Sequence, residues 1–146
     1  DAFVEFIREH DVERGGAAGP AVPLHVQSFD LATLLAVRGR IAAPCVWLTS
    51  KRPADADIDG LAGRIDGFSI GKDSLLTDDP AAFVSRLHDA GHCVVTWTFA
   101  DDRHDTRRFA SAAEELVAAL DAGIDAFFTD FPASGAAVRN RLRPAG

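Results

Sequence analysis

Methionine is absent from all 146 residues. Translation begins with Met, and initiator removal ahead of a residue as large as Asp1 is unusual, so the expectation is a processed, trimmed or fragmentary polypeptide. No apolar run approaches the roughly 20 residues that span a bilayer, which excludes a transmembrane segment in the sequence. No signal peptide is visible at Asp1; with a non-native start expected, that says nothing about compartment. Positive charge is also scarce, with 15 Lys and Arg against 22 Asp and Glu for a net charge of −7. Broad nucleic-acid binding wants a basic face and is excluded. A small anionic ligand is not, because local fields decide that. There are two cysteines, Cys45 and Cys93. They make no Cys-x-x-Cys or Cys/His zinc pattern, and each opens an apolar run as a small hydrophobe would.

What is present is an ordinary globular composition, 47% hydrophobic and 25% charged, long enough for one domain with a real core. Strand and helix signals alternate along it. Phe3, Phe6, Ile7 and His10 share a helical face over residues 2–10, and Arg14 to Pro23 is a Gly/Ala/Pro loop. Leu24 to Phe29 reads as a strand. Asp30 caps a helix carrying Leu31, Leu34, Leu35, Arg38 and Ile41, stopped by Pro44. Cys45 to Thr49 is a second strand, and Ile58, Leu61, Ala62 and Ile65 repeat at helical spacing. Gly67 to Gly71 is a third strand. Asp79-Pro80 opens a helix with Phe83, Val84 and Leu87 on its inner stripe, ended by Gly91. Cys93 to Phe99 is the fourth strand. Phe109, Ala113, Leu116, Val117 and Leu120 mark the next helix, closed by Gly123. Ile124 to Thr129 is the fifth strand, and Pro132 opens the last helix.

Strands joined by crossover helices imply a parallel sheet with right-handed connections. Two architectures suit the pattern: a five-stranded doubly wound sheet of flavodoxin-like shape, or part of a (β/α)8 barrel, which needs roughly 250 residues. Both collect function at the carboxyl ends of the strands. Those ends are polar: Gln27-Ser28, Thr49-Ser50-Lys51, Gly71-Lys72-Asp73, Thr98 to Asp102, and Thr129-Asp130. Lys72 is the sharpest candidate. Gly71 permits close backbone approach, and the lysine can neutralise a phosphate or a departing alkoxide. Gly71-Lys72-Asp73-Ser74 lacks the upstream glycine of a nucleotide-binding loop. Trp97 and Phe29 offer apolar walls. Asp101 to Asp105 and Glu9-His10-Asp11 read as solvated surface. No Ser/His/Asp set assembles from defined neighbours.

Four stretches, in order, resemble the glycerophosphodiester phosphodiesterase family. Val26 to Asp30 is similar to its apolar-Gln-Ser-Phe-Asp/Glu strand. Asp66-Gly67-Phe68-Ser69-Ile70-Gly71-Lys72 resembles an Asp-Gly-Ile-Gly strand with a nearby lysine. Leu87 to His92, leading into Thr96-Trp97-Thr98-Phe99, resembles its helix-glycine-strand segment. Gly123 to Pro132 is similar to its closing Gly-x-Asp-Gly-x-x-Thr-Asp-Phe-Pro, with Ala126 where glycine is usual. The resemblance implies a (β/α)8 TIM barrel, with this chain supplying roughly the last five βα units and residues 1–146 forming the C-terminal portion of a single barrel domain. It implies hydrolysis of glycerophosphodiesters to an alcohol and glycerol 3-phosphate by the parent protein, with a divalent cation, calcium or magnesium. Two histidines would serve as acid and base.

Those groups come from a His-Arg-Gly, a Glu-x-Asp strand, a His-Asp pair and a Glu-x-Lys strand, none of which stands here in context. The metal ligands are therefore expected outside this chain, in a missing N-terminal half of the barrel. The fragment alone is expected to be inactive. What carries over is a pocket for a small anionic phosphodiester: Lys72 for phosphate or leaving-group contact, Trp97 and Phe29 as wall, Gln27 and Asp130 as polar rim. The alternatives are a non-catalytic degenerate half-barrel and the flavodoxin-like binding module.

Overall fold

The computed structural model describes residues 2–9 and 24–142. The expected Arg14 to Pro23 loop, and His10 and Asp11, lie outside the described residues. Helix α1 (Ala2–Glu9) comes first, followed by β1 (Val26–Ser28), α2 (Leu31–Arg38), β2 (Cys45–Thr49), α3 (Asp55–Gly60) and β3 (Gly67–Gly71). Then come α4 (Lys72–Leu75), α5 (Pro80–Asp89), β4 (Cys93–Phe99), α6 (Ala112–Asp121), β5 (Ala126–Thr129) and α7 (Pro132–Leu142). No described helix is long and apolar enough to cross a membrane.

The five strands form one sheet in the order β1-β2-β3-β4-β5, and every pairing is parallel. A doubly wound sheet starts near its middle and grows toward both edges. Strictly sequential order is instead that of a length of barrel wall, so the flavodoxin-like alternative is set aside. Among the described residues β1 and β5 each pair on one side only.

The core lies between the sheet and its helices. Phe68 and Ile70 of β3 and Val94 of β4 are buried against Leu34, Ile58, Leu75 and Leu87 from the helical layer. Each such side chain contributes about 1.5–3 kcal/mol by leaving water. Exposure along β5 alternates: Phe127 packs edge-on against Phe99 at 6.0 Å, while Phe128 on the opposite face is 47% exposed. Gly67 marks the tightest approach in the sheet. A Cβ there would run into the backbone carbonyl and Sγ of Cys93 on the paired strand. Backbone cannot yield as a flexible side chain does, so Gly67→Ala is expected to cost about 2–3 kcal/mol, read as a lower urea midpoint with unchanged slope.

Two aspartates tie the sheet together at the strand starts. The Asp66 carboxylate accepts the Cys45 N–H at 2.7 Å and an Arg38 guanidinium N–H at 2.8 Å. The Asp125 carboxylate accepts the Val94 N–H at 2.7 Å and sits 3.0 Å from Nε2 of His88. In each case the aspartate N–H also returns a bond to the carbonyl of the same neighbour. His92 is structural as well: it is 2% exposed, with Nε2 2.8 Å from the Ile58 carbonyl. Cys45 is buried and Cys93 half-buried. Desolvation first, then the nearby Asp125 and Asp66 charges, push the Cys93 thiol up from its ordinary value, leaving it a poor nucleophile.

Helix boundaries follow their local chemistry. The Asp30 side chain accepts from the N–H groups of Ala32 and Thr33 at the start of α2. Asp79, at φ 44°, caps α5 ahead of Pro80, and Ser111 caps α6. Positive φ falls on Gly91 and Gly123, the two glycines expected to end helices. Four expectations are corrected. In α1 it is Val4 and Ile7 that are buried, whereas Phe3 and Phe6 are exposed at 44% and 53%; the helix is rolled by one position. Helix α2 ends at the Gly39 cap, well before Pro44. Helix α3 stops at Gly60, leaving Leu61 and Ile65 buried in the following turns. Phe109 precedes α6, because the Ser111 cap sets the start there.

The Asp30 cap is acid-sensitive. Hydrogen bonds from the Thr33 side chain, then the Thr33 backbone, lower its pKa below 3.8. A group depressed in the folded state stabilises fully above its unfolded pKa and loses that contribution as pH falls through the folded value. Asp30→Asn should therefore flatten the stability profile below about pH 4. Melting curves of both proteins between pH 5 and pH 2 check this.

Candidate functional site

The carboxyl ends of β3, β4 and β5 open onto a groove of about 1180 Å³ whose wall includes Lys72, Trp97, Arg103, His104, Glu115 and Asp130. Three of the five expected site residues, Lys72, Trp97 and Asp130, thus meet in one place. Phe29 joins them from β1's end by an edge-on contact with Trp97, ring centroids 5.7 Å apart. Gln27 lies within β1 opposite Val46 and is not part of that groove's lining.

Each residue is placed by identifiable local forces. Gly71 lets β3 pass close to its neighbour: a Cβ there would come within 3.2 Å of the Ser50 carbonyl. The chain turns at once into α4, the single helical turn that begins with Lys72 and was not foreseen from the sequence. The far end of α4 is held by Arg52, which donates from Nε to Ser74 O at 3.2 Å and from Nη2 to Leu75 O at 2.7 Å. Its guanidinium also lies 4.3 Å above the Phe83 ring. The Trp97 indole N–H donates to Ser69 O at 3.1 Å, so the ring is pinned to the neighbouring strand. The Trp97–Thr98 peptide is cis. Phe29 is 63% exposed, yet its carbonyl accepts the Trp47 indole N–H at 3.1 Å. An exposed ring held at both backbone and edge is a preformed apolar surface.

The groove's charges are paired. Lys72 Nζ donates to Glu115 Oε2 at 2.6 Å, and Glu115 is 1% exposed. Arg103 bridges to Asp130 at 2.8 Å and approaches Asp102 at 3.6 Å. Arg107 faces Asp105 at 3.5 Å, and Arg108 lies 5.3 Å from the Phe109 ring centre. An ammonium carries three N–H donors. Glu115 takes one, and the Arg103 carbonyl takes another at 3.4 Å. The Asp73 carboxylate stands 3.9 Å from the same Nζ, so an incoming oxygen would compete with it for the third. The arrangement suits an anionic oxygen at Lys72 with a carbon skeleton lying on Trp97 and Phe29.

It does not suit a metal. Asp102, Asp105 and Asp130 are engaged by arginines and Asp73 lies by Lys72, and among the described residues no group of three His, Cys, Asp or Glu is arranged to hold an ion. The divalent cation implied by the sequence resemblance therefore does not fit the donors at this groove.

Two features escaped the sequence reading. The loop from Ala100 to Arg107, of which Asp101 to Asp105 read as solvated surface, is tied across the strand ends by Arg103–Asp130 and by the Ser134 hydroxyl, which donates to Asp101 at 2.5 Å. Glu115 was missed altogether. Its signal was an acid on the row Glu115, Ala119 and Ala122, which is otherwise apolar and buried.

A model of the glycerophosphoryl diester phosphodiesterase family matches residues 4–134. No curated protein matches the sequence. Among solved structures, the chain is similar to a phosphodiesterase of Oleispira antarctica in complex with the product sn-glycerol-3-phosphate. Identity there is 20% and TM-score 0.70, covering 95% of this chain and 48% of that one. It is also similar to a glycerophosphoryl diester phosphodiesterase of Parabacteroides distasonis, at 18% identity and TM-score 0.63, covering 99% of this chain and 48% of that one. At such identities the likeness shows the fold alone. The chain thus spans about half the length of the solved structures it matches, and its five parallel strands are half of a TIM barrel.

Proposed function

This chain belongs to the glycerophosphoryl diester phosphodiesterase family, and we propose that it supplies the phosphate- and leaving-group-facing half of a pocket that hydrolyses glycerophosphodiesters. On this reading residues 1–146 are the C-terminal portion of a single barrel domain. The carboxylates and histidines for a divalent cation and for proton transfer would lie in polypeptide outside it. The observation that carries the reading is Lys72. A lysine is brought to the end of β3 beside Gly71, clamped by a buried carboxylate, and faces the same groove as Trp97. A positive group at that place neutralises charge on a phosphate oxygen or a departing alkoxide, and the rings cover the ligand's carbon skeleton. The sn-glycerol-3-phosphate held by the Oleispira antarctica structure is a ligand of that chemistry.

Titration of the chain with sn-glycerol 3-phosphate tests this. Binding to the unaltered chain, weakened about tenfold or more by Lys72→Ala, is expected for a lost charge-assisted contact. Trp97→Ala should weaken it less, by lost apolar cover alone. Equal binding by Lys72→Ala would remove the basis of the reading.

A further inference from the structure

We infer that Glu115 is a positioning residue for this groove, setting Lys72 and the Ala100 to Arg107 loop in one geometry for an anionic oxygen. The inference rests on the reading of the groove as a phosphate site.

Glu115 is fully buried among apolar neighbours on α6. Its two oxygens point to two different parts of the mouth: Oε2 accepts from Lys72 Nζ at 2.6 Å, and Oε1 accepts from the Asp105 backbone N–H at 3.1 Å. Lys72 in turn donates to the Arg103 carbonyl at 3.4 Å. One carboxylate thereby links the end of β3 to the loop after β4, whose Arg103 reaches on to Asp130 beside β5. A buried ion pair is a poor device for stability, since apolar side chains of similar volume commonly serve as well or better. What it does provide is a lysine with few rotamers left, in a loop of defined register. A held ammonium meets an anion without first being ordered, which strengthens binding.

The alternative role for Glu115 is simply to mask the Lys72 charge, and the two roles predict opposite results. Glu115→Gln keeps size and an oxygen acceptor but removes the charge. If Glu115 positions, the variant binds sn-glycerol 3-phosphate about tenfold more weakly or worse. The Lys72 ammonium protons, protected and visible by NMR in the unaltered chain, vanish into solvent exchange. The Asp105 amide signal shifts while the remaining amide spectrum is retained. Binding that is unchanged or tighter in Glu115→Gln overturns the inference, as do Lys72 protons that exchange freely in the unaltered chain. If the unaltered chain shows protected Lys72 protons but takes up neither sn-glycerol 3-phosphate nor inorganic phosphate, the phosphate reading itself fails. The role of Glu115 falls with it, and the protected signal tells this case from the others.

Discussion

Lys72→Met should destabilise the fold by about 3–5 kcal/mol, the cost of leaving a buried carboxylate without its partner. Glu115 is 1% exposed and Lys72 12%, so solvent can replace little of what the ammonium supplies. The Asp105 N–H remains as a donor to Glu115, but one neutral N–H does not balance a buried charge. Removing both charges gives the opposite outcome. In Lys72→Met/Glu115→Met two apolar side chains fill the space, and stability should return to within about 1 kcal/mol of the unaltered chain or exceed it. Urea unfolding of the single and double variants measures the cycle. The double variant should recover its stability without recovering any affinity for sn-glycerol 3-phosphate. That split separates the function of the pair from its structural cost. A single variant as stable as the unaltered chain would mean that the ion pair is not formed in solution.

The isolated 146-residue chain should show no hydrolysis of glycerophosphocholine with calcium or magnesium, and should self-associate. The first expectation follows from the donor set. The groove presents Lys72, paired aspartates and aromatic rings, whereas no described group of His, Cys, Asp and Glu can gather a cation. General acid catalysis by a positioned side chain contributes about 10²–10⁴-fold, and the acid and base histidines implied by the family resemblance are expected outside this chain. The second expectation follows from the sheet. Strands β1 and β5 each leave one edge unpaired among the described residues, and Phe128 stands 47% exposed beside one of those edges. Unpaired N–H and C=O groups next to an apolar face template further pairing. Sedimentation of the chain at increasing concentration should show dimers or larger species. Cation-dependent turnover by the chain alone would contradict the division of labour proposed for it, and a strict monomer would contradict the open edges.

The elements were legible in the sequence wherever local chemistry decides them. Cys45–Thr49, Gly67–Gly71 and Cys93–Phe99 were readable to the residue, because continuous apolar runs bounded by turn formers have few other uses. Asp30, Asp79-Pro80, Gly91 and Gly123 announced helix ends through hydrogen bonds and backbone angles that depend on near neighbours only. Where packing chooses among local options, the reading failed. The roll of α1 onto Val4 and Ile7, the early stop of α2 at Gly39 and the helical turn at Lys72 are all settled by what lies across from them.

The site divides in the same way. Lys72, Trp97 and Asp130 were identifiable because parallel strands deliver their last residues to one end of the sheet, and that follows from chain order. The sequence by itself thus determined the family, the parallel α/β class and the placing of Lys72, Trp97 and Asp130 at the carboxyl ends of the strands. Only the tertiary structure decided the sequential strand order and the pairing of Lys72 with Glu115, 43 residues later. It also folded the loop after β4 across the strand ends. Contacts between positions so far apart are selected by burial and charge balance, and those quantities exist only once the helices are laid on the sheet.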